Sequence, residues 1–406
     1  MPATHLSCRS CGGDQPLAGI GTCPACFGPL DPVYDSEELR RSATRELIEA
    51  GPSSLWRYAP LLPVAPPVDD RLSPGLTPLV TAPRLAAELG IDELWLKLDT
   101  ANPTHSFKDR VVAVACAKAQ ELGLDTLACS STGNLANAVA ARAAAEGMDA
   151  VVFCPYDLER EKLVANAAYG AKLFAVRGSY DDCSRLTVEL SFELSWGFVN
   201  VGLRSYYAEG SKTVAYEIAE QLGWELPDAV VSPIASGSLI SKVGRGFDDF
   251  RELGLVTGAR PRLVGAQAAG CSPVAAAFAD GDRVKPIRPS TIARSLAIGS
   301  PADGDTAVKV VRESGGAIYS VAETDVGVEM AALAASTGVF GETAAGVTLG
   351  ALRQAVRDGA VQRSDRVVLL VTGDGLKTPG PVADSFAPTE IAPDADALLA
   401  ELGVAL

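Results

Sequence analysis

Short apolar runs rich in β-branched residues alternate with Ala-rich amphipathic stretches from Gly75 onward, and nothing else in the chain constrains its fold so tightly. Residues 94–98, 126–129, 150–154, 172–176, 229–232, 263–266 and 366–371 read as strands, with helical patterns between them. Parallel pairing requires such a crossover, and a parallel strand covered on both faces shows a continuous apolar run instead of alternation. The pattern predicts a predominantly parallel α/β architecture. At 406 residues and 48% hydrophobic content, the chain has material for two or more cores.

Ahead of this region, Cys8-x-x-Cys11 and Cys23-x-x-Cys26 lie beside Gly12, Gly13, Gly21 and Gly28, the form of two tight knuckles presenting four thiolates. This is zinc-ribbon spacing, and four sulfurs would close the coordination shell around a structural metal. An emptied relic of a ribbon and two redox pairs are the other readings. A ribbon-like segment is therefore expected at 1–32, followed at 33–75 by an arm with a helix-like piece at 36–49 and a linker rich in proline around Pro60, Pro63, Pro66 and Pro67. A short final helix is expected at 395–402.

Composition narrows the function classes. A net charge of −15 with no concentrated basic stripe argues against nucleic acid and anionic membrane as partners, since both demand clustered Lys and Arg. No apolar stretch reaches the roughly 20 residues of a membrane span, and the N-terminus carries Cys-x-x-Cys in place of a signal peptide's apolar core, so a cytoplasmic location is expected. Cys116, Cys129, Cys154, Cys183 and Cys271 stand singly in apolar or helical contexts and read as buried small hydrophobes.

Four loops at strand ends carry candidate chemistry, where open α/β sheets place their ligands. In Asn102-Pro103-Thr104-His105-Ser106-Phe107-Lys108-Asp109-Arg110 a turn-rich segment runs into the helical pattern 111–119, with Ser106 as the expected N-cap. Lys108 at that junction can carry an aldehyde cofactor, with an anion nearby on the helix N-terminus; standing alone it would read as a surface lysine. Ser130-Ser131-Thr132-Gly133-Asn134 precedes the helical pattern 135–146 and suits a carboxylate plus a ring hydroxyl, or is an ordinary cap. Pro233-Ile234-Ala235-Ser236-Gly237-Ser238 lets the backbone wrap a phosphate, yet it is no Walker loop, and no G-x-G-x-x-G follows the first strand. Thr372-Gly373-Asp374-Gly375-Leu376-Lys377 presents a neutral hydroxyl at a strand end; Asp374 and Lys377 also suit solvated turn charges.

In this order, Ser-Phe-Lys-Asp-Arg, Ser-Thr-Gly-Asn, the Ser/Gly loop and Thr-Gly-Asp-Gly-Leu-Lys resemble the fold-type-two pyridoxal-phosphate enzymes, tryptophan synthase beta-like in fold, and within them the threonine synthase family. The likeness runs from about Gly75 to Pro379, and the cysteine ribbon resembles one branch of that family. It implies two open α/β domains, a large one from 76–111 and 206–390 and a small mobile one from 112–205, with a tail at 391–406. It implies pyridoxal 5'-phosphate, with Lys108 as its Schiff-base lysine, Asn134 on the ring hydroxyl, Ala235, Ser236, Gly237, Ser238 and Leu239 as the phosphate cradle, and Thr372 facing the pyridine nitrogen. Ala235, Ser238 and Leu239 depart from the more usual Gly, Gly and Asn, a small change where backbone N–H groups do the binding.

The resemblance further implies O-phospho-L-homoserine as substrate, converted with water to threonine and phosphate by γ-elimination and β-addition, in a homodimer. Ser131, Thr132 and Gly133 would meet the substrate carboxylate, while Asn200 and Arg204 would meet its phosphate, with Lys97 and Lys212 as second choices. Glu342 looks like an acidic wall near the cofactor and equally suits a helix start. His105 is expected to pack, with a late proton carrier as the other reading. A related serine/threonine dehydratase or β-replacement synthase is the alternative enzyme, and a cofactor-bound inactive regulator the alternative outside enzymes.

Overall fold

The computed structural model describes residues 3–131, 133–158, 160–281, 283–383 and 387–403. Three sheets organise them. An antiparallel N-terminal sheet joins β1 (Ala3–Cys8), β2 (Asp14–Gln15) and β3 (Leu30–Tyr34) in the order β2-β1-β3. Strands β4 (Leu79–Thr81) and β5 (Glu93–Leu98) then enter the largest sheet. The chain next builds a separate sheet from β6 (Thr126–Ser130), β7 (Asp149–Pro155), β8 (Lys172–Val176) and β9 (Gly197–Phe198), all parallel in the order β8-β7-β6-β9. It returns to the largest sheet with β10 (Ala229–Pro233), β11 (Arg262–Ala268), β12 (Ala317–Val321) and β13 (Arg366–Val371), giving the order β12-β11-β10-β13-β5-β4. Only β4 runs antiparallel there.

The apolar runs form strands because both faces are covered. In β13, Val367, Leu369 and Val371 pack with the helix Thr343–Arg357 on one side, while Val368 and Leu370 join Val243 and Phe247 of the helix Ser238–Glu252 on the other. Adjacent residues of one strand thus enter two cores, which a half-exposed strand could not permit. The smaller sheet repeats the arrangement, with Leu127 and Cys129 facing the helices Lys108–Glu121 and Asn134–Glu146, and Ala128 facing Cys183 of the helix Tyr180–Glu193. The five single cysteines are all buried and free, as their apolar settings predict.

All seven expected strands are present. In the two larger sheets β4, β9 and β12 were not expected: β4 and β9 have three and two residues, and β12, Ala-Ile-Tyr-Ser-Val, lies at a sheet edge with a mixed burial pattern, so the apolar signal is weak. The piece expected at 36–49 is two helices, Ser36–Ser42 and Arg45–Glu49; Thr44 breaks it by capping the second through its hydroxyl. The final helix is Ala395–Glu401.

Candidate active site

Three adjacent strands of the large sheet aim their C-terminal ends at one place. Register pairs Val371 of β13 with Leu98 of β5 and Leu369 with Val231 of β10, so the loops carrying Thr372, Lys108 and the Ser/Gly turn emerge side by side. The lysine segment is stitched to the Thr372 loop by its backbone: the Phe107 N–H donates to the Thr372 carbonyl at 2.9 Å, and the Asp374 N–H to the His105 carbonyl at 3.1 Å. His105 holds φ +59 and is exposed, its ring nitrogen 3.3 Å from the Thr100 carbonyl, so the expectation that it packs is corrected: the left-handed turn points it outward. Ser106 does not cap the helix Lys108–Glu121 either. Phe107 holds that place without a side-chain cap, and the Ser106 hydroxyl is fully buried without a partner.

Lys108 is the first residue of its helix and partly buried. Its Nζ donates to the Tyr207 hydroxyl at 3.0 Å and lies 4.4 Å from the centre of the Phe107 ring. It has no carboxylate partner among the described ion pairs, whereas its neighbours are heavily engaged. Asp109 accepts from the Thr104 N–H and hydroxyl, and Arg110 forks onto Asp99 and Glu217. The motif thus spends most of its polar atoms on fixing the turn and leaves one amine uncommitted.

From β6 comes Asn134, at the start of its helix. Its amide nitrogen donates to both oxygens of Glu342, at 3.0 and 3.1 Å, and its amide oxygen accepts from Lys377 Nζ at 3.0 Å. Burial raises the Glu342 carboxyl above its ordinary value, against Asn134, Lys377 and Lys108, which favour its ionised form. Burial also lowers the Lys377 amine, opposed by Glu342 and Asp109. Lys377 is therefore more than a solvated turn charge. Ser131 spends its hydroxyl on the helix start, accepting from the N–H groups of Gly133 and Ala136 at 3.2 Å; Thr132 lies outside the described residues.

The Ser/Gly turn after β10 opens the 15-residue helix Ser238–Glu252, whose first N–H groups have no partner within the helix. Gly237 caps it at φ +89, and a Cβ there would stand 2.5 Å from the Asp303 carbonyl oxygen, so only glycine fits. Ala235, Ser236, Ser238 and Leu239 surround that turn, the Asp303 N–H donating to the Ser236 carbonyl at 2.8 Å. Arg204 begins the helix Arg204–Glu209 and pairs with Asp303 Oδ2 at 2.5 Å. Asn200 donates to Ser130 Oγ at 3.1 Å, while its own amide oxygen is buried without a partner. Lys97 and Lys212 are committed elsewhere, to Glu217 at 2.7 Å and to Glu209 at 2.7 Å and Asp249 at 3.0 Å, both almost wholly buried.

These residues fit a phosphorylated aldehyde. An amine, a neutral hydroxyl at Thr372 and a helix N-terminus converge, and the Ser106, Asn200, Ser205 and Thr343 side chains each bury a polar atom with no protein partner in or beside these loops. Tyr207 and Asp303 were missed in the sequence and carried no signal there, whereas Lys377 was named in the Thr-Gly-Asp-Gly-Leu-Lys stretch without a role.

At the N-terminus, the sulfurs of Cys8, Cys11, Cys23 and Cys26 lie within 4.8 Å of one another, with Cys8 and Cys26 at 3.5 Å and Cys11 and Cys23 at 3.7 Å. Tetrahedral zinc with bonds of about 2.3 Å requires sulfurs about 3.8 Å apart, so the set fits the metal. The Cys11 and Ser10 amides lower the Cys8 thiol to about 6, while against the Gly28 amide the Cys11 and Cys8 sulfurs raise the Cys26 thiol to about 12, so the fit to a metal rests on the spacing of the sulfurs.

Known proteins resemble this chain in sequence and in fold. The pyridoxal-phosphate dependent enzyme family matches residues 71–373. The chain is 36% identical to a threonine synthase of Methanosarcina acetivorans over 94% of both chains, and 34% identical to a threonine synthase of Methanocaldococcus jannaschii over 92% of both. Among solved structures, the diaminopropionate ammonia lyase of Escherichia coli superposes with a TM-score of 0.66 at 18% identity, covering 94% of this chain and 97% of that one. The processed threonine deaminase isoform 2 of Solanum lycopersicum gives 0.65 at 20% identity, covering 85% and 86%; these two likenesses speak for the fold alone. With that fold, the loops at its strand ends and relatives matched almost end to end, the chain belongs to the threonine synthase family of pyridoxal-phosphate dependent enzymes.

Proposed function

We propose that this protein converts O-phospho-L-homoserine and water to L-threonine and inorganic phosphate. One observation carries the reading: the match to curated threonine synthases extends over more than nine-tenths of both chains, and the family match over residues 71–373 spans the loops that carry Lys108, Asn134, the Ser/Gly turn and Thr372. When bound, pyridoxal phosphate supplies the electron sink that stabilises negative charge at the substrate's α-carbon. Lys108 would hold the cofactor, and its amine would take the proton from Cα and then one from Cβ. The Tyr207 hydroxyl, 3.0 Å from Nζ, orients that amine. Thr372 offers the ring nitrogen a neutral hydroxyl where an aminotransferase would use a carboxylate, which disfavours transamination.

Ala235 to Leu239 cradle the cofactor phosphate with backbone N–H groups, and Asn134, steadied between Glu342 and Lys377, faces the ring hydroxyl. Ser131, Thr132 and Gly133 are assigned to the substrate carboxylate; the Ser131 hydroxyl, although it accepts from the Gly133 and Ala136 N–H groups, keeps its own proton to donate. Asn200 and Arg204 receive the substrate phosphate, which departs from Cγ before water adds at Cβ. The sheet spanning β6 to β9 supports assigning 112–205 to a small domain that closes over the larger one, formed by 76–111 and 206–390. We assign structural zinc to Cys8, Cys11, Cys23 and Cys26, supported by the spacing of their sulfurs. The family resemblance extends the proposal to a cytoplasmic homodimer. No helix among the described residues is long and apolar enough to cross a membrane.

The test is release of phosphate together with threonine from O-phosphohomoserine, with L-serine and L-threonine as parallel substrates. Equal amounts of the two products are expected; keto acid from serine or threonine without turnover of phosphohomoserine would move the protein to the dehydratase reading. Arg204→Ala is expected to raise KM roughly tenfold or more, the loss of one charged hydrogen bond, with the cofactor still bound. An unchanged KM would remove Arg204 from the phosphate site.

A further inference from the structure

Arg204 is met from behind by a second arginine that belongs to the cysteine ribbon. Asp303 is almost fully buried, and its two oxygens hold two guanidiniums: Oδ2 takes Arg204 at 2.5 Å, and Oδ1 takes Arg9 at 2.9 Å. The two arginines are anchored unequally. Arg9 also forks onto Asp31, which pairs with Lys242 at 2.8 Å, which in turn pairs with Glu209 at 2.5 Å. Arg204 has Asp303 as its only ion-pair partner among the described residues and is about a quarter exposed. Arg204 is the one free to turn.

The ribbon also braces the helix that carries Arg204. The Tyr206 hydroxyl donates to the Ala18 carbonyl at 3.0 Å, the Tyr34 hydroxyl donates to Glu209 at 2.5 Å, and Gly21 lies directly against the Val201 carbonyl. The Asp303 backbone is fixed to the cofactor cradle through Ser236 and Gly237. A phosphate dianion that draws Arg204 away from Asp303 would strand a buried carboxylate without a counter-charge, which is costly, unless a second cation stays on it. Arg9 is that cation.

We propose that Arg9 is a positioning residue for recognition of the substrate's phosphate: it keeps Asp303 neutralised while Arg204 turns from Asp303 to the dianion. The inference rests on the role given to Arg204 under the proposed function. It makes the N-terminal ribbon part of the substrate site.

The experiment uses the full cofactor-loaded chain with Arg9→Ala, Arg9→Lys, Asp303→Asn and the double variant Arg9→Ala/Asp303→Asn. KM and kcat are measured with O-phosphohomoserine, and the Kd of inorganic phosphate by titration calorimetry. Arg9→Ala is expected to raise KM and the phosphate Kd about tenfold, with kcat within about twofold. Arg9→Lys, which keeps the charge without the fork, should recover part of the loss. Once Asp303→Asn has removed the charge that needs holding, adding Arg9→Ala should change neither constant by more than about twofold, a non-additivity that a merely structural arginine would not give. Unchanged constants in Arg9→Ala, or an equal loss with and without Asp303→Asn, would overturn the proposal. If Arg9→Ala does not fold, Arg9→Lys with and without Asp303→Asn carries the same comparison. Failure of the wild type to turn over phosphohomoserine would overturn the threonine synthase reading, while the phosphate affinities would still decide the role of Arg9.

Discussion

Lys108→Ala is expected to lose the visible absorbance of the lysine-bound cofactor and to lower turnover at least about a thousandfold, because in the proposed function one amine both carries the cofactor and moves the Cα and Cβ protons. The effect on folding should be negligible. Lys108 sits in the first turn of its helix, makes one side-chain hydrogen bond, to Tyr207, and has no carboxylate partner among the described ion pairs, so its removal breaks no ion pair, and the buried Glu342 that it helps to ionise keeps Asn134 and Lys377. The urea midpoint of the cofactor-free variant should imply a change within about 0.5 kcal/mol of wild type. Cofactor added to the variant should still bind through the cradle of Ala235 to Leu239, with the spectrum of a free aldehyde. This combination separates a chemical lysine from a structural one. Survival of the lysine-bound band in Lys108→Ala would end the assignment, and a large loss of stability would assign Lys108 to the scaffold.

What could be seen in the sequence was whatever chemistry is written into consecutive residues. The seven apolar runs foretold their strands because burial on both faces leaves a continuous signal, and Lys108, Asn134, Gly237 and Thr372 stood in short loops beside them. Partners supplied by distant elements left no such mark. Tyr207 reaches Lys108 from 99 positions away; Glu342, which the resemblance did mark as an acidic wall near the cofactor, reaches Asn134 from 208, a pairing its own neighbours do not announce. Asp303 pairs with Arg204 only because the start of the helix Gly304–Glu313 is clamped to the Ser/Gly turn, and nothing in the residues around Asp303 announces a site. His105 and Ser106 were misjudged for the related reason that a left-handed turn reverses which side chains face inward, and the turn is imposed by the Thr372 loop packed against it. Lys97 and Lys212 had the right charge and lie close in the fold, yet buried carboxylates had already claimed them. Residue type names a capability; tertiary partners decide whether it stays available.

The same distinction places the largest expected loss of stability at Glu217, which touches no proposed reacting atom. Glu217 is fully buried and accepts from Lys97 at 2.7 Å, from both terminal nitrogens of Arg110 and from the N–H groups of Leu76 and Thr77. With Asp99 on the other side of Arg110, two cations balance two carboxylates in the buried interior. Glu217→Gln keeps the shape but leaves one buried positive charge unmatched, expected to cost about 3–5 kcal/mol at pH 7. Burial opposes ionisation of Glu217, but Arg110 and Lys97 outweigh it and lower the carboxyl to about 2. A folded value below the unfolded one means that this stabilisation is fully present above the ordinary glutamate value, about 4.3, and is lost as pH falls toward 2. The difference in unfolding free energy between wild type and Glu217→Gln, measured in urea, should therefore stay constant from pH 7 to about 5 and shrink below about 4.3. Since Arg110 lies two residues beyond Lys108, the variant should also loosen the catalytic turn and lower turnover even where it remains folded. A pH-independent difference, or one under about 1 kcal/mol, would mean that the four-charge cluster relaxes or admits water when one member is neutralised.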